Sequence, residues 1–337
     1  IFVASARHHL KNVVRQLDHR GMLEYQLPQK DTTALWKQVS SLLPSQWQII
    51  WSFQTIRYQY LPHLSKHHRV NHIPGNDVIV VKPQLWRTIK RINPSFMPRH
   101  YMLPDDLSEL KKVWSSSRWI TKSVNHRGVK FLENWKEVEE LSSNMMVAEY
   151  VEPLLIDNRK WDIGVYVAVT SLEPLTIYIY DNVLLRICKL DYPIDGKLNK
   201  DTPVDSYVVN GYVPPWDIPT LAKEYHGDIP SSFKEGKSNW EALNNYFIKN
   251  NIVKEKHQLK QNVYNIVTTT ITRVASTLHS AVKKYGGWPD TFFELWRWDF
   301  VISREGKVKI MEVNMRYAFW TVLCSSYYIH GLRILCF

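Results

Sequence analysis

The sequence predicts a mixed α/β fold, and three stretches carry that expectation. From Asp299 to Asn314 two β-prone runs flank Glu305-Gly306. Glycine supplies the positive φ that a tight hairpin turn needs, so the segment reads as a β-hairpin. From Lys160 to Val169 the chain alternates with period two. Trp161, Ile163, Val165, Val167 and Val169 fall on one face, expected to meet a core, and Lys160, Asp162, Gly164, Tyr166 and Ala168 on the other. Val263, Ile266, Val267, Ile271, Val274, Leu278 and Val282 recur instead at helical spacing, and Gly286-Gly287 with Pro289 closes that run.

The remaining elements suggest three lobes. Residues 1–105 mix short helices and strands and are rich in His, Trp and Pro, with Pro94, Pro98 and Pro104 marking the exit. Residues 106–175 read as a compact α/β lobe. A helix starts near Asp105-Asp106, with acidic residues in its first turn, and strands follow at 119–122, 145–150 and 162–170. Residues 176–337 add strands at 184–190 and, beginning at 175, up to 180, a loop-rich stretch to about 255, the long helix and the hairpin. No internal repeat or low-complexity tract is visible.

Composition bounds the function. The 337 residues are 45% hydrophobic, with 14 Trp, 18 Tyr and 11 Phe, enough to bury a large core. The net charge of +11 favours a polyanionic partner. No zinc-finger spacing, RNA-recognition aromatic motif or continuous basic helix argues for nucleic acid. Only Cys188, Cys324 and Cys336 occur, too few for a disulfide framework, which suits a reducing, cytoplasmic compartment. The closest approach to an apolar span is Ala318–Phe337, interrupted by His330 and Arg333. The chain starts at Ile1, so a membrane anchor upstream stays open.

Several residues are candidates for chemistry. If Glu305-Gly306 is the loop, Arg304 pairs with Lys307, Ile302 with Lys309, and Asp299 lands opposite Glu312. Glu312 and Asn314 then share a face. Three hard oxygen donors suit Mg²⁺ bound together with nucleotide phosphates; the alternative is an ordinary exposed hairpin. Lys160 and Asp162 on one strand face suggest a polyanion site, against a solvated face. Lys122 ends a short strand and precedes a turn reaching Arg127-Gly128, a place where a cation and backbone N–H groups can wrap phosphates. His63, His67, His68 and His72 lie near Arg69. Their spacing allows a metal, but no carboxylate or Cys joins them, and a basic loop favouring an acidic partner is the plainer reading.

Five stretches, in order, resemble the tubulin–tyrosine-ligase-like family. They are Val70-Asn71-His72-Ile73-Pro74-Gly75, Trp119-Ile120-Thr121-Lys122, Leu154 to Asp162 followed by Tyr166-Val167 and Thr170-Ser171, Ile177-Tyr178-Ile179-Tyr180 with Arg186, and Glu312-Val313-Asn314. The resemblance runs from about Trp51 to Asn314. It implies an ATP-grasp-like fold of three lobes, with the nucleotide between the central and C-terminal lobes. It also implies a monomeric ATP- and Mg²⁺-dependent ligase that adds a free amino acid, most often glutamate, to carboxylates of acidic tubulin tails, in the cytoplasm at microtubules or cilia.

By the same resemblance, Lys122, Arg127 and Gly128 contact phosphates, and Glu149, Tyr150 and Val151 form the adenine hinge. Lys160 and Asp162 serve nucleotide binding and catalysis, and Arg186 engages the carboxylate of the incoming amino acid. Lys82 lies near substrate, and Asp299, Glu312 and Asn314 hold the metal. The chain departs from the pattern at Ser123 (usually Pro), at a phosphate loop with one Gly, at Ala148 (usually Gln), at Gly164 (usually Arg) and at Met315-Arg316-Tyr317-Ala318, where Ser-Pro is usual. Gly164 removes a cation from the nucleotide pocket, which predicts a slow enzyme unless Arg127 or Arg159 fills the gap. Three readings compete: an active glutamylase, a catalytically weakened family member that binds nucleotide or microtubules, and a carboxylate–amine ligase acting on a small metabolite.

Overall fold

The computed structural model describes residues 2–5, 10–24, 37, 39–42, 44–53, 55–61, 63–123, 129–141, 145–193, 196–199, 201–209, 211–225, 238–253, 255 and 257–315. Thirteen strands are formed among them: β1 (Phe2–Ser5), β2 (Ile49–Ser52), β3 (Arg69–Asn71), β4 (His100–Met102), β5 (Trp119–Ser123), β6 (Val129–Leu132), β7 (Met145–Glu149), β8 (Trp161–Leu172), β9 (Leu175–Ile179), β10 (Leu184–Cys188), β11 (Tyr212–Val213), β12 (Phe292–Ile302) and β13 (Val308–Asn314). Nine of them build one mixed sheet in the order β1-β2-β3-β12-β8-β10-β11, with β13 on β12 and β9 on β8. The other four form a small antiparallel sheet, β4-β7-β5-β6.

The mixed α/β class follows directly. Sheet membership cuts across the spans 1–105, 106–175 and 176–337. β1–β3, β8 and β9–β13 share the large sheet, while β4 joins β5–β7 in the small one.

The long helix is α5, with α1 (Lys11–Asp18), α2 (Lys82–Ile92), α3 (Leu107–Val113) and α4 (Asn239–Lys249) preceding it. It spans Gln258–Lys284, and all seven periodic residues named from the sequence are buried. They join one core with Trp161, Ile163, Val165, Val167 and Val169 of β8 and with Trp296, Trp298 and Phe300 of β12. Apolar burial of this kind contributes about 25 cal/mol per Å², so this layer stabilises the large sheet. Gly286, at φ +69°, follows the helix end as expected. The other face of β8 is covered as well, since Tyr166 and Ala168 are also buried.

The hairpin β12–β13 forms with a different turn. Ile302 pairs with Val308, not Lys309, and Val301 pairs with Lys309. The loop holds Arg304, Glu305 and Gly306, closed by the Ser303–Lys307 backbone bond, with Gly306 at φ +76°. A three-residue loop with glycine in the left-handed region is the alternative to the two-residue turn. The ladder then shifts between Asp299 and Phe300, leaving Met311 as the extra residue of a bulge. That shift cancels the error at the turn, so Asp299 does face Glu312, as expected.

Candidate active site

The candidate residues gather where the large sheet faces the small one. β8 is the hub. Its first residues pair with β10, setting Arg186 opposite Asp162, and its other edge pairs with β12, setting Asp299 opposite Gly164. Arg186 donates from Nε to Asp162 Oδ1 at 2.7 Å and reaches Asp299 Oδ2 with its Nη2 at 3.1 Å. β10 lies between β8 and β11, so Arg186 stands on an inner strand.

On β13, Asn314 donates from Nδ2 to Asp299 Oδ2 at 3.1 Å and to Glu312 Oε1 at 3.0 Å. Glu312 and Asn314 therefore share a face, and the hairpin's three expected oxygen-bearing side chains do converge. Lys82, the first residue of α2, sits 3.4 Å from Glu312 Oε2. Burial would raise the Glu312 pKa, but Lys82, the Asn314 bond and Lys122 outweigh it and hold it below the usual range.

Two lysines complete the group. Lys122 leaves the end of β5 in the small sheet, close enough to Glu312, Lys82 and Lys160 to feel their charge. Lys160 precedes β8 and lies over the Tyr150 ring, 4.7 Å from its centroid, with the Tyr150 hydroxyl 3.4 Å away. Burial lowers both ammonium pKa values to about 8. Burial also pushes Asp162 up to about 6, with Asp299 adding to the rise and Arg186 opposing it. Five cations (Lys82, Lys122, Lys160, Arg186 and Arg297) face three carboxylates (Asp162, Asp299 and Glu312). A surplus of positive charge held partly out of water is the electrostatics of a polyanion receptor.

Not every expected residue points there. Glu149 on β7 is tied to Arg99 by bonds of 3.0 and 3.1 Å and accepts from Ser117 at 2.9 Å. Its carboxylate is thus committed beside the small sheet, and its backbone N–H is engaged as well, donating to the Arg99 carbonyl at 2.8 Å. Val151 is half-buried and leads into Pro153, which bridges Ser303 at the hairpin end. Arg127 and Gly128 lie outside the described residues, as do Cys324, Cys336 and the stretch 316–337. Arg159 turns away toward the Cys188 and Lys189 carbonyls and Asp191.

The histidines disperse. His68 stacks on Trp47 with ring centroids 3.7 Å apart, and His72 Nδ1 contacts Glu294 Oε1 at 2.9 Å. Both are buried, so neither belongs to an exposed basic loop. Among the described residues no group of three or more His, Cys, Asp or Glu is arranged to hold a metal.

One site residue escaped the sequence reading. Arg297 on β12 donates to both oxygens of Asp299, from Nε at 2.7 Å and from Nη2 at 2.9 Å. Alternation held the signal: Arg297 and Asp299 lie two apart on one strand, opposite in facing to Trp296, Trp298 and Phe300. The space beside Gly164 is therefore not empty, as a bare glycine had suggested. It is taken by Arg297 and not by Arg159, while Arg127 lies outside the described residues. This also bears on the metal expectation. Glu312 and Asn314 offer hard donors that fit Mg²⁺ chemistry, whereas both oxygens of Asp299 are engaged by guanidinium groups.

Comparison with known proteins identifies the family. Residues 61–317 match the Tubulin-tyrosine ligase family, and the chain belongs to it. Among its relatives, it is 30% identical over 321 residues to "Probable tubulin polyglutamylase ttll-15" of Caenorhabditis elegans, covering 91% of this chain and 56% of that protein. It is 28% identical over 285 residues to human "Tubulin monoglutamylase TTLL4", covering 78% of this chain and 22% of that protein. It is 27% identical over 344 residues to mouse "Tubulin polyglutamylase TTLL5", covering 94% of this chain and 25% of that protein. The chain thus spans between about a fifth and just over half the length of these relatives. No helix among the described residues is long and apolar enough to cross a membrane.

Proposed function

We propose that this chain is an ATP-dependent ligase that joins an amino acid, most often glutamate, to carboxylates of acidic tubulin tails, and that the seam between the two sheets is its ATP-grasp-like nucleotide site. The observation that carries the reading is the convergence of Lys122 from the small sheet with Lys160, Arg186, Glu312 and Asn314 from the large one. It occurs in a family member whose named relatives are glutamylases. The acceptor carboxylate attacks the γ-phosphorus and ADP leaves. The amine of the incoming amino acid then attacks the acyl-phosphate carbon, and phosphate departs with the new amide formed. Carboxylates are poor electrophiles, and the phosphate leaving group is what ATP contributes. Lys122 and Lys160 offset phosphate charge, which is most useful where charge moves in the transition state. Asp162 holds Arg186 for the amino acid's carboxylate, which a planar fork suits. A magnesium ion bound by Glu312 and Asn314, and by Asp299 once a guanidinium yields an oxygen, would screen the phosphates.

The test is transfer of radiolabelled glutamate, glycine and tyrosine to purified tubulin, with mass spectrometry of the tails, repeated on tail-cleaved tubulin and at raised salt. Glutamate incorporation that needs the tails and declines with ionic strength is expected. Tail-independent, salt-insensitive binding with no ligation contradicts the proposal. A second reading, a nucleotide- or microtubule-binding protein with weakened catalysis, is favoured by one observation, the full engagement of Asp299 by Arg297 and Arg186.

A further inference from the structure

Gly164 and Arg297 occupy one space. Gly164 lies on β8 directly opposite Asp299, in a buried stretch of strand. A Cβ placed on it would stand 2.9 Å from Arg297 Cδ, 3.3 Å from Arg297 Cγ and 3.3 Å from Asp299 Oδ1. The middle of the arginine chain therefore lies flat across the glycine. From there its guanidinium closes a two-pronged pair on Asp299, with the whole residue only 8% exposed. Any side chain at 164 would lift Arg297 off this path.

Glycine inside a strand loses stability and packs nothing, so its presence in mid-sheet calls for a close approach by something else. Here that something is a cation. Arg186 reaches the same Asp299 from the opposite neighbour strand. Asp299 and Asp162 thus balance the two guanidiniums, and Lys122 and Lys160 remain as surplus charge.

We propose that Arg297 is a positioning cation of the nucleotide site, reaching across β8 through the gap that Gly164 leaves, so that positions 164 and 297 form one functional unit in which the charge is supplied from β12 instead of β8. This rests on the nucleotide-site reading above. The unit makes a specific demand: an arginine placed at 164 can substitute for Arg297 only if 297 is vacated.

The experiment is a double-mutant cycle on the full chain, with ATP–Mg²⁺ affinity measured by titration calorimetry and thermal stability read in parallel. Arg297→Gly and Gly164→Arg are each expected to weaken ATP binding by about tenfold or more, the first by removing the cation and the second by crowding two guanidiniums. The double variant Gly164→Arg with Arg297→Gly is expected to recover to within about threefold of the parent. Arg297→Lys, which keeps the charge without the fork, should fall between. Asp299 retains Arg186 and Asn314 in Arg297→Gly, so that variant is not left with an orphaned buried carboxylate. A merely structural role would move stability and leave affinity alone. The inference is overturned if Arg297→Gly binds ATP as the parent does, or if the double variant is no better than the worse single. If the parent binds no ATP at all, the nucleotide-site reading fails first and the inference with it, whatever the stability cycle shows.

Discussion

Strand β12 buries a carboxylate near each end, on opposite faces, and the two are held in different ways. Glu294 is 1% exposed and closed in by hydrogen-bonding partners. His72 Nδ1 lies at 2.9 Å, Asn76 donates at 2.6 Å and the Ile73 backbone N–H at 3.2 Å. His72 holds a left-handed backbone at φ +66°, and Asn71 links it to Ser52. These contacts tie β2, β3 and the turn after β3 to β12.

Asp299, 2% exposed, is held by two arginines and stands in a group where positive charge is in excess. The hydrogen bonds around Glu294 use a buried carboxylate to fix architecture. The group around Asp299 has cations in excess, and under the proposed function the missing anion is the polyphosphate.

Removing the carboxylate from the Glu294 network should have the largest effect. Glu294→Ala strands His72, Asn76 and the Ile73 N–H in the interior and is expected to cost about 3–5 kcal/mol of stability. Urea unfolding measures this, and a change under about 1 kcal/mol would mean the network is not structural.

The unbalanced group should respond in function instead. Glu312→Gln keeps shape and removes a charge that faces Lys82 and Lys122. Ligation is expected to fall by about 10²–10³, with unfolding midpoint and tubulin binding nearly unchanged. Activity within twofold of the parent would remove Glu312 from the chemistry.

The smallest effect is on pH dependence. Lys122 and Lys160, lowered to about 8 by burial, carry charge below that pH and lose it above. ATP affinity should therefore decline as pH rises through about 8, with proton uptake on binding as phosphate restores the ammonium form. Stability runs the other way: between about 8 and 10.5 the unfolded chain binds more protons, so the folded state gains as pH rises. Calorimetry from pH 7 to 9.5 in buffers of different ionisation enthalpy separates the two, and a flat affinity profile would show that these lysines do not meet phosphate.

The amino-acid sequence by itself determined the family, the mixed α/β class, the long helix and the core face of β8. Period two and period 3.6 are local properties of the backbone, and the motifs lie in order along the chain. It also placed Asp299 opposite Glu312, although through a turn one residue off and an unforeseen bulge at Met311. Bulges and loop lengths depend on how the ladder fits its neighbours, which no short window of sequence contains.

Tertiary structure alone decided three matters. It turned Glu149 to Arg99, gave His68 and His72 unrelated buried partners, and laid Arg297 across Gly164. Positions 164 and 297 are remote in sequence and adjacent only because β8 and β12 pair. A missing side chain at one position can be answered at the other because strands side by side share a single layer of side chains.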